Sequence, residues 1–397
     1  MVRCLALVLA LLLAAGGADA AAKLERVVTV MRHGIRPPTQ SNAELARYAA
    51  QAWPDWPVAP GELTPHGGES VKLMGRTLRA AYVARGLLPA KGCAGAGQVS
   101  VWADGADQRT RQTGVDLAAS VEPGCDVKTG WAAPRPRDPI FGGDDSKACM
   151  IDAAHAYGTG LPPPSPAELA RLEAATARLQ AIMAPKACDG GAGMCFKISP
   201  ADKGLFPSTA GLAEDLLLEY ADGKPLTDVG WGRAREADID AIMPLHEAGF
   251  ARLRDNVYAS ARRGAPMTRV ILAALAGEPA KGGPQSGPAL RFLGLAGHDT
   301  NLVWMASTFG FDWTLPNEPD STAPSTALAF ELWRDGARRY VRPVLYYETL
   351  DQLRTLKPAA ARAVPLTFKD CASGPHGSCP LETVKARIDA LLPADCG

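Results

Sequence analysis

The sequence has no net charge, no long apolar run after its first residues and none of several common catalytic signatures. Its 397 residues carry 42 Lys and Arg against 42 Asp and Glu, so any charged ligand must be held by a local cluster and not by an overall basic field. No run beyond residue 20 approaches the 18 apolar residues of a membrane-spanning helix. C-x-x-C, Cys-x5-Arg, G-x-S-x-G, G-x-x-x-x-G-K-[ST] and H-E-x-x-H are all missing. The composition is that of a globular protein, and the length predicts two or three domains at most.

The first twenty residues fit a secretory signal peptide better than part of the fold. Arg3 is followed by an apolar segment over residues 5–15 and by Ala-Asp-Ala at residues 18–20, with small residues at the −3 and −1 positions of a cleavage site. A lipid anchor is not expected, because Cys4 precedes the apolar segment. We therefore expect a mature chain of about 377 residues in the periplasm or the medium.

Export changes how the cysteines are interpreted. Nine are present and one lies in the predicted signal peptide, which leaves eight in a compartment where disulfides persist. Eight cysteines permit 105 pairings, so the sequence leaves the connectivity open. Two pairs are local, Cys188 with Cys195 and Cys371 with Cys379, each across a glycine-containing loop. A zinc site that adds His376 to the second pair is the weaker alternative.

Short β-branched runs that end in glycine or polar turns predict strands, and longer amphipathic stretches predict helices. Strands are expected near 26–31, 98–103, 290–297, 327–334 and 340–347, and helices near 65–85, 165–183, 208–220, 234–262, 301–309 and 381–392. Because strands and helices alternate at both ends of the chain, we predict an α/β core with a mostly parallel sheet flanked by helices. The middle has helix patterns and few strand signals. We expect a signal peptide at 1–20, the core at 21–140 and 264–397, and an inserted helical cap at 141–263.

Two histidines, His33 and His298, directly follow predicted core strands. Ligands bind beyond the carboxyl ends of strands in open α/β sheets, so the loops that carry His33, Arg109 and His298 should face one another. His33 also lies between Arg32 and Arg36, with no carboxylate in the local segment to neutralise them. Converging guanidinium groups match phosphate oxygens, so this combination indicates an oxyanion site.

The segments MRHGIRPPT (31–39) and AGHDTN (296–301) together resemble the paired signature of the histidine acid phosphatases, in the phosphoglycerate-mutase-like superfamily. LTPHGGE, DQRT, DPIF, GWGR and TLPNEPD extend the resemblance in order over nearly the whole mature chain, closest to bacterial phytases and periplasmic glucose-1-phosphatase. The resemblance implies a phosphoglycerate-mutase-like core with an inserted helical domain. It also implies four disulfides: Cys93 with Cys125, Cys149 with Cys396, Cys188 with Cys195, and Cys371 with Cys379.

The residue types support the chemistry that the resemblance implies. We therefore expect His33 to attack phosphorus and form a phosphohistidine, and Asp299 to protonate the leaving oxygen. An aspartic acid that must be protonated predicts an acidic pH optimum. We expect the phosphoryl oxygens to be held, without a metal or cofactor, by Arg32, Arg36, Thr39, Arg109 and His298.

The expected substrate is a small phosphomonoester, hydrolysed by a monomer with no nucleic-acid or membrane partner. Gln40 stands where phytases tend to carry lysine, which counts against tight binding of a many-phosphate substrate. Arg263, Thr300 and Gly34 agree with the phytase pattern, and Glu214 has a loose counterpart in the family. A broad acid phosphatase with phytase activity is therefore favoured over the alternative, a periplasmic sugar-phosphate phosphatase.

Other classes remain as alternatives. A metallohydrolase would use His298 and Asp299 as ligands, and it predicts inactivation by EDTA. A binding protein without catalysis would need a lost nucleophile or acid, yet both His33 and Asp299 are present. A mutase is possible within the superfamily, but Asp299 and export favour hydrolysis.

Overall fold

The computed structural model describes residues 22–134, 137–142, 149–152, 162–198, 207–358, 361–394 and 396. The signal peptide expected at 1–20 and several stretches of the expected cap lie outside the described residues. Within the described ranges, no helix is both long and apolar enough to cross a membrane.

One sheet forms the core, and its strands in the described residues lie in the order β3-β2-β4-β1-β5-β6-β7, with β8 paired to β6. The strands are β1 (Lys23–Arg32), β2 (Val99–Ala103), β3 (Thr129–Trp131), β4 (Phe292–Gly297), β5 (Ala327–Asp335), β6 (Arg338–Tyr347), β7 (Arg362–Pro365) and β8 (Cys379–Pro380). The α/β class and the five expected strands are confirmed, whereas β3, β7 and β8 were not predicted.

The expectation of a mostly parallel sheet is wrong, because the sheet is mixed. β3, β2, β4 and β1 pair in parallel. β5 is antiparallel to β1 and to β6, and β6 is antiparallel to β7 and β8. For β5 and β6 the reason is the short link between them, which turns at Gly336 with a φ of 55°. A two-residue hairpin joins only antiparallel strands, since a parallel pair needs a long crossover.

Most expected helices are present. The helices are α1 (Asn42–Leu45), α2 (Pro65–Ala84), α3 (Gln108–Val121), α4 (Pro166–Met183), α5 (Pro207–Ala221), α6 (Glu236–Ile242), α7 (Pro244–Asp255), α8 (Val257–Arg263), α9 (Ala265–Ala276), α10 (Asp299–Phe309), α11 (Leu350–Thr355) and α12 (Leu381–Leu391). Ser165 caps α4 by accepting a hydrogen bond from the backbone N–H of Glu168 at 3.2 Å.

The single helix expected over 234–262 is wrong, because three helices occupy this range. Pro244 opens α7, and proline has no N–H to continue the helix before it. Asn256, with φ −85° and ψ 70°, leaves the helical region and caps α8 through its side chain. The polar segment after β2, expected as a loop, begins α3 instead, so Arg109 lies in the first turn of a helix.

Both faces of the sheet are covered by helices. Alternate residues of β1 point to opposite sides, so Val27 packs in the cluster that includes Leu78 of α2 and Leu117 of α3. Val28 packs in the cluster that includes Ile271 of α9 and residues of α10 and α12. Helices α4 to α7 share a separate apolar cluster. This cluster is consistent with an inserted cap, and the division into 21–140, 141–263 and 264–397 stays a prediction.

The four disulfides that the resemblance implies are confirmed. Cysteine sulfurs are bonded in the pairs Cys93–Cys125, Cys149–Cys396, Cys188–Cys195 and Cys371–Cys379. The alternative zinc site with His376 is wrong, since Cys371 and Cys379 are bonded to each other and supply no thiolate.

Candidate active site

Three neighbouring strands end at the same edge of the sheet, and a polar residue follows each of them. His33 follows β1, His298 follows β4 and Asp104 follows β2. Backbone hydrogen bonds hold these ends together: the N–H of His33 donates to Gly297 O at 2.9 Å, and that of Asp104 to Ala296 O at 3.0 Å. The parallel pairing of β2, β4 and β1 therefore brings together residues that are far apart in the sequence.

A cavity of about 350 Å³ opens at this edge. Its lining combines the residues that follow β1 and β4 with three arginines: His33, Arg36, Arg109, Arg137, Phe141, Gly142, His298, Asp299, Thr300 and Trp304. The structure thus brings five of the expected site residues to one cavity, and it places Arg32 behind the wall and Thr39 outside.

His33 is buried, with 1% of its surface exposed. Its Nδ1 lies 2.8 Å from Gly34 O, a carbonyl that can only accept, so Nδ1 carries the proton and Nε2 carries the lone pair. The ring meets that of His298 edge to face at 5.7 Å. Burial, followed by the charges of Arg109 and Arg36, lowers the pKa of His33 well below its usual value. The lowered pKa favours the neutral form of the imidazole.

Arg32 is completely buried and is paired with three carboxylates from distant parts of the chain. Its Nη1 lies 2.7 Å from Asp320 Oδ2, and its Nη2 lies 3.2 Å from Asp299 Oδ2 and also contacts Glu214. The local segment holds no carboxylate, as the sequence shows, but these three carboxylates from distant segments neutralise the arginine. Burial acts to lower the pKa of Arg32, but the three carboxylates raise it, so the charge is permanent.

Arg36 reaches the cavity and shares Glu214 with Arg32. Its Nη2 lies 3.2 Å from Glu214 Oε2, and its Nη1 donates to Pro37 O at 3.1 Å. Burial would raise the pKa of Glu214, but the two arginines outweigh burial and lower it. Glu214 therefore stays ionised in acid and fixes both guanidinium groups.

Arg109 lines the cavity from the start of α3. Its Nη1 donates to Gly61 O at 3.2 Å and lies 3.1 Å from Asp107 Oδ1. Thr39 lies beside Gly61 but is exposed, and its hydroxyl donates to Gln40 Oε1 at 3.3 Å. The structure therefore leaves Thr39 at the rim, outside the lining of the cavity.

Asp104 and Arg137 are site residues that sequence reasoning missed. Asp104 Oδ2 lies 2.8 Å from both His298 Nε2 and Arg137 Nη2. Burial would raise the pKa of Asp104, but bonds from His298 and from the N–H of Ala106, with the charge of Arg137, lower it to about 2. The strand-end rule that identified His33 could also have found Asp104, whereas Arg137 gave no local signal.

Asp299 is the first residue of α10 and faces the cavity. Its Oδ1 accepts a hydrogen bond from the N–H of Thr300 at 2.6 Å, and its Oδ2 lies 3.2 Å from Arg32 Nη2. These contacts fix the carboxyl group at the cavity wall and leave it accessible from the cavity.

One group of residues beside the cavity, Asp104, Asp107 and His298, has the spacing of metal ligands. Nη2 of Arg137 lies within 2.9 Å of an atom of each of these three side chains. A guanidinium group therefore occupies the position of a cation, which makes a metal at these ligands electrostatically unfavourable. The metallohydrolase alternative therefore loses support, because Arg137 occupies the place beside His298 where a metal would bind.

A buried histidine, three arginines and a carboxyl group in one cavity are the groups that a phosphatase site needs, and the family comparison agrees. Residues 23–184 match the model of the histidine phosphatase superfamily (branch 2). The chain belongs to this family and is a histidine acid phosphatase, an enzyme that hydrolyses phosphomonoesters.

The relatives are similar over nearly their whole lengths. The chain is 32% identical to phytase AppA of Escherichia coli (strain K12), covering 94% of this chain and 93% of that protein. It is 27% identical to glucose-1-phosphatase of Salmonella typhimurium, covering 91% and 90% respectively. Hafnia alvei phytase, solved in complex with myo-inositol hexakis sulphate, matches with a TM-score of 0.83 and 31% identity over 96% of this chain and 99% of that one.

Proposed function

We propose that this enzyme is a broad acid phosphatase with phytase activity, which hydrolyses inositol hexakisphosphate through a phosphohistidine at His33. The observation that carries the proposal is the buried imidazole of His33, with Nδ1 bonded to Gly34 O, in a cavity lined by three arginines. A neutral nucleophile beside fixed positive charge is what attack on a phosphate ester requires.

In the first step, Nε2 of His33 attacks phosphorus and the P–O ester bond breaks. The bond from Nδ1 to Gly34 O orients the ring and keeps the proton off Nε2. The electron pair of the broken bond leaves with the ester oxygen, which takes a proton from Asp299. Asp299 must be protonated for this step and His33 must not be, so the lowered pKa of His33 permits catalysis in acid.

In the second step, water attacks the phosphohistidine and the P–N bond breaks. The carboxylate of Asp299, left ionised by the first step, accepts a proton from that water. Phosphate leaves and His33 returns to its neutral form, so the enzyme needs no metal or cofactor in this scheme.

Charge on the transferring phosphoryl group is held by side chains already fixed in place. Arg36, Arg109 and His298 line the cavity and are the direct ligands in this proposal. Arg32 adds a permanent positive charge from behind the wall and orients Asp299 at 3.2 Å. Thr39, at the rim, would reach only the outer part of a bound substrate. Groups held before the reaction need no reorganisation as charge develops.

The residues that agree with the phytase pattern differ in whether they lie where substrate could contact them. Thr300 lines the cavity and can contact substrate. Arg263 is buried at the end of α8 and is outside the cavity lining. Gly34 does not discriminate, because a Cβ there would lie 2.4 Å from Gly67 O whatever the substrate. The stronger support is the similarity to phytases at 31–32% identity, against 27% for the glucose-1-phosphatase.

The test is a panel of kcat/KM values for inositol hexakisphosphate, glucose 1-phosphate and an aryl phosphate at pH 4 to 6 with chelator present. We expect inositol hexakisphosphate to be preferred by about tenfold or more, which corresponds to about 1.4 kcal/mol of transition-state binding. A flat panel contradicts a phytase but not an acid phosphatase. Preference for glucose 1-phosphate supports the sugar-phosphate alternative, and loss of all activity with EDTA supports a metallohydrolase.

We also propose that the chain is exported as a monomer, with a cap formed by 141–263. The signal-like residues 1–20 support export, and disulfides that persist only in oxidising compartments agree with it. Amino-terminal sequencing of the secreted protein tests the cleavage after residue 20, and sedimentation tests the monomer.

A further inference from the structure

Arg137 holds an unusual position in the cavity wall. It lies in the described segment 137–142 after β3, and its side chain is 31% exposed. Its Nε and Nη2 donate to Asp104 Oδ2 at 3.0 and 2.8 Å, and Nη2 also donates to Asp107 Oδ2 at 2.8 Å. Among the described residues, its Nη1 makes no hydrogen bond. The Nε and Nη2 side of the guanidinium group is therefore held by carboxylates, and the N–H groups of Nη1 are available to a ligand.

The contact between Arg137 and His298 is electrostatically unfavourable. Nη2 of Arg137 lies 2.9 Å from His298 Nε2, which is itself 2.8 Å from Asp104 Oδ2. If Nε2 carries a proton, two donors face each other. If it does not, its lone pair faces a carboxylate oxygen. Arg137 and His298 thus compete for Asp104, and an incoming anion that accepts from Arg137 relieves the competition.

The charges along this wall are balanced before substrate arrives. Asp107 bridges the two arginines, with Oδ1 3.1 Å from Arg109 Nη1 and Oδ2 2.8 Å from Arg137 Nη2. Arg109 lies close enough to depress the pKa of His33, whereas Arg137 contacts His298 and the two aspartates. The phosphoryl group attacked by His33 therefore uses Arg109, and Arg137 is left for a different anionic group.

We propose that Arg137 is a specificity-determining residue, which binds a second phosphate group of a polyphosphorylated substrate while the first is attacked by His33. This inference rests on the proposed function, since it concerns the substrate of the same site. Arg137 presents Nη1 and its remaining donor directions to the second phosphate, in the two-pronged geometry that guanidinium and phosphate share.

Inhibition constants test this subsite without requiring that phytate is a substrate. Hydrolysis of an aryl phosphate is measured with two competitive inhibitors, myo-inositol hexakis sulphate and inorganic phosphate, in wild type and in Arg137→Gln. We expect the inhibition constant for the hexakis sulphate to rise about tenfold, the effect of one charge-assisted contact, and that for inorganic phosphate to rise less than about threefold. Arg334→Gln, which breaks an exposed pair with Glu25 at the far end of β1, should change neither constant.

Two results overturn the proposal. If both constants rise together, Arg137 only neutralises Asp104 and Asp107, and if neither rises, it contacts no ligand. Arg137→Lys keeps the charge but not the planar guanidinium group. Its ratio of the inhibition constant for the hexakis sulphate to that for inorganic phosphate should lie between the ratios of wild type and Arg137→Gln. If Arg137→Gln does not fold, a ratio in Arg137→Lys equal to that of wild type overturns the proposal. If wild type fails to hydrolyse phytate while Arg137→Gln still raises the inhibition constant for the hexakis sulphate selectively, that result refutes phytase activity and supports the subsite.

Discussion

Replacing Asp104 by asparagine should lower the free energy of unfolding by about 2 kcal/mol near neutral pH. The carboxylate is inaccessible to solvent and accepts from His298, from Arg137 and from the N–H of Ala106. A carboxyl group whose pKa falls from 3.8 when unfolded to about 2 when folded contributes about 2 kcal/mol to stability. Asparagine keeps the size of the side chain but loses this charge.

The sign of the pH dependence follows from the lowered pKa. Stability from Asp104 is fully present above the unfolded pKa of 3.8 and is lost as the pH falls toward about 2. The difference between wild type and Asp104→Asn should therefore be about 2 kcal/mol at pH 6 and less than about 1 kcal/mol at pH 2.5. Urea unfolding followed by tryptophan fluorescence measures both values.

A matched control separates this effect from the loss of any aspartate. Asp126 pairs with Lys128 at 2.6 Å, but its side chain is 82% exposed, so Asp126→Asn should leave stability nearly unchanged. If Asp104→Asn lowers the free energy of unfolding equally at pH 6 and at pH 2.5, the electrostatic reasoning is refuted and the loss is due to packing. No difference at pH 6 would refute the hydrogen-bond network itself.

Two further predictions concern catalysis and the disulfides. The kcat/KM for an aryl phosphate should rise as the pH falls from 8 to 5, because the mechanism needs a proton on the general acid and the lowered pKa favours neutral His33. A pH profile that rises steadily to pH 8 contradicts this. Replacing Cys149 and Cys396 by serine should cost about 5 kcal/mol of unfolding free energy and replacing Cys188 and Cys195 about 2, since the bonds close loops of 247 and 7 residues. Equal costs in urea unfolding would contradict the loop-length argument.

Much of the core could be predicted because its strands carry strong local signals. β1 and β4 are apolar runs that end at His33 and His298, and polar residues at the ends of buried strands mark the ligand-binding edge of an α/β sheet. The short edge strands β3, β7 and β8 lack enough residues to show a period. α9 was missed for another reason. It is apolar on nearly every side, so its periodicity does not distinguish a helix from a buried strand.

The electrostatics of the site could not be predicted from the sequence. Arg32 looks unpaired in its own segment, but Glu214 comes from α5 and Asp320 from the loop before β5. Arg137 sits in an irregular proline-rich stretch, and only tertiary packing brings it to Asp104. Side chains that act through a distant partner leave no periodic or motif signal, and the arrangement of the ion pairs is therefore a property of the fold.

The most direct test of the central claim is to trap the phosphoenzyme. Wild type is mixed with an aryl phosphate labelled in its phosphoryl group and quenched, and the protein-bound label is examined in acid and in base. We predict a label that is labile in acid, stable in base and located on His33, and no label in His33→Ala that is folded by circular dichroism. A label in His33→Ala, or one that survives acid and is lost in base, would place the phosphoryl group on another residue and contradict the mechanism.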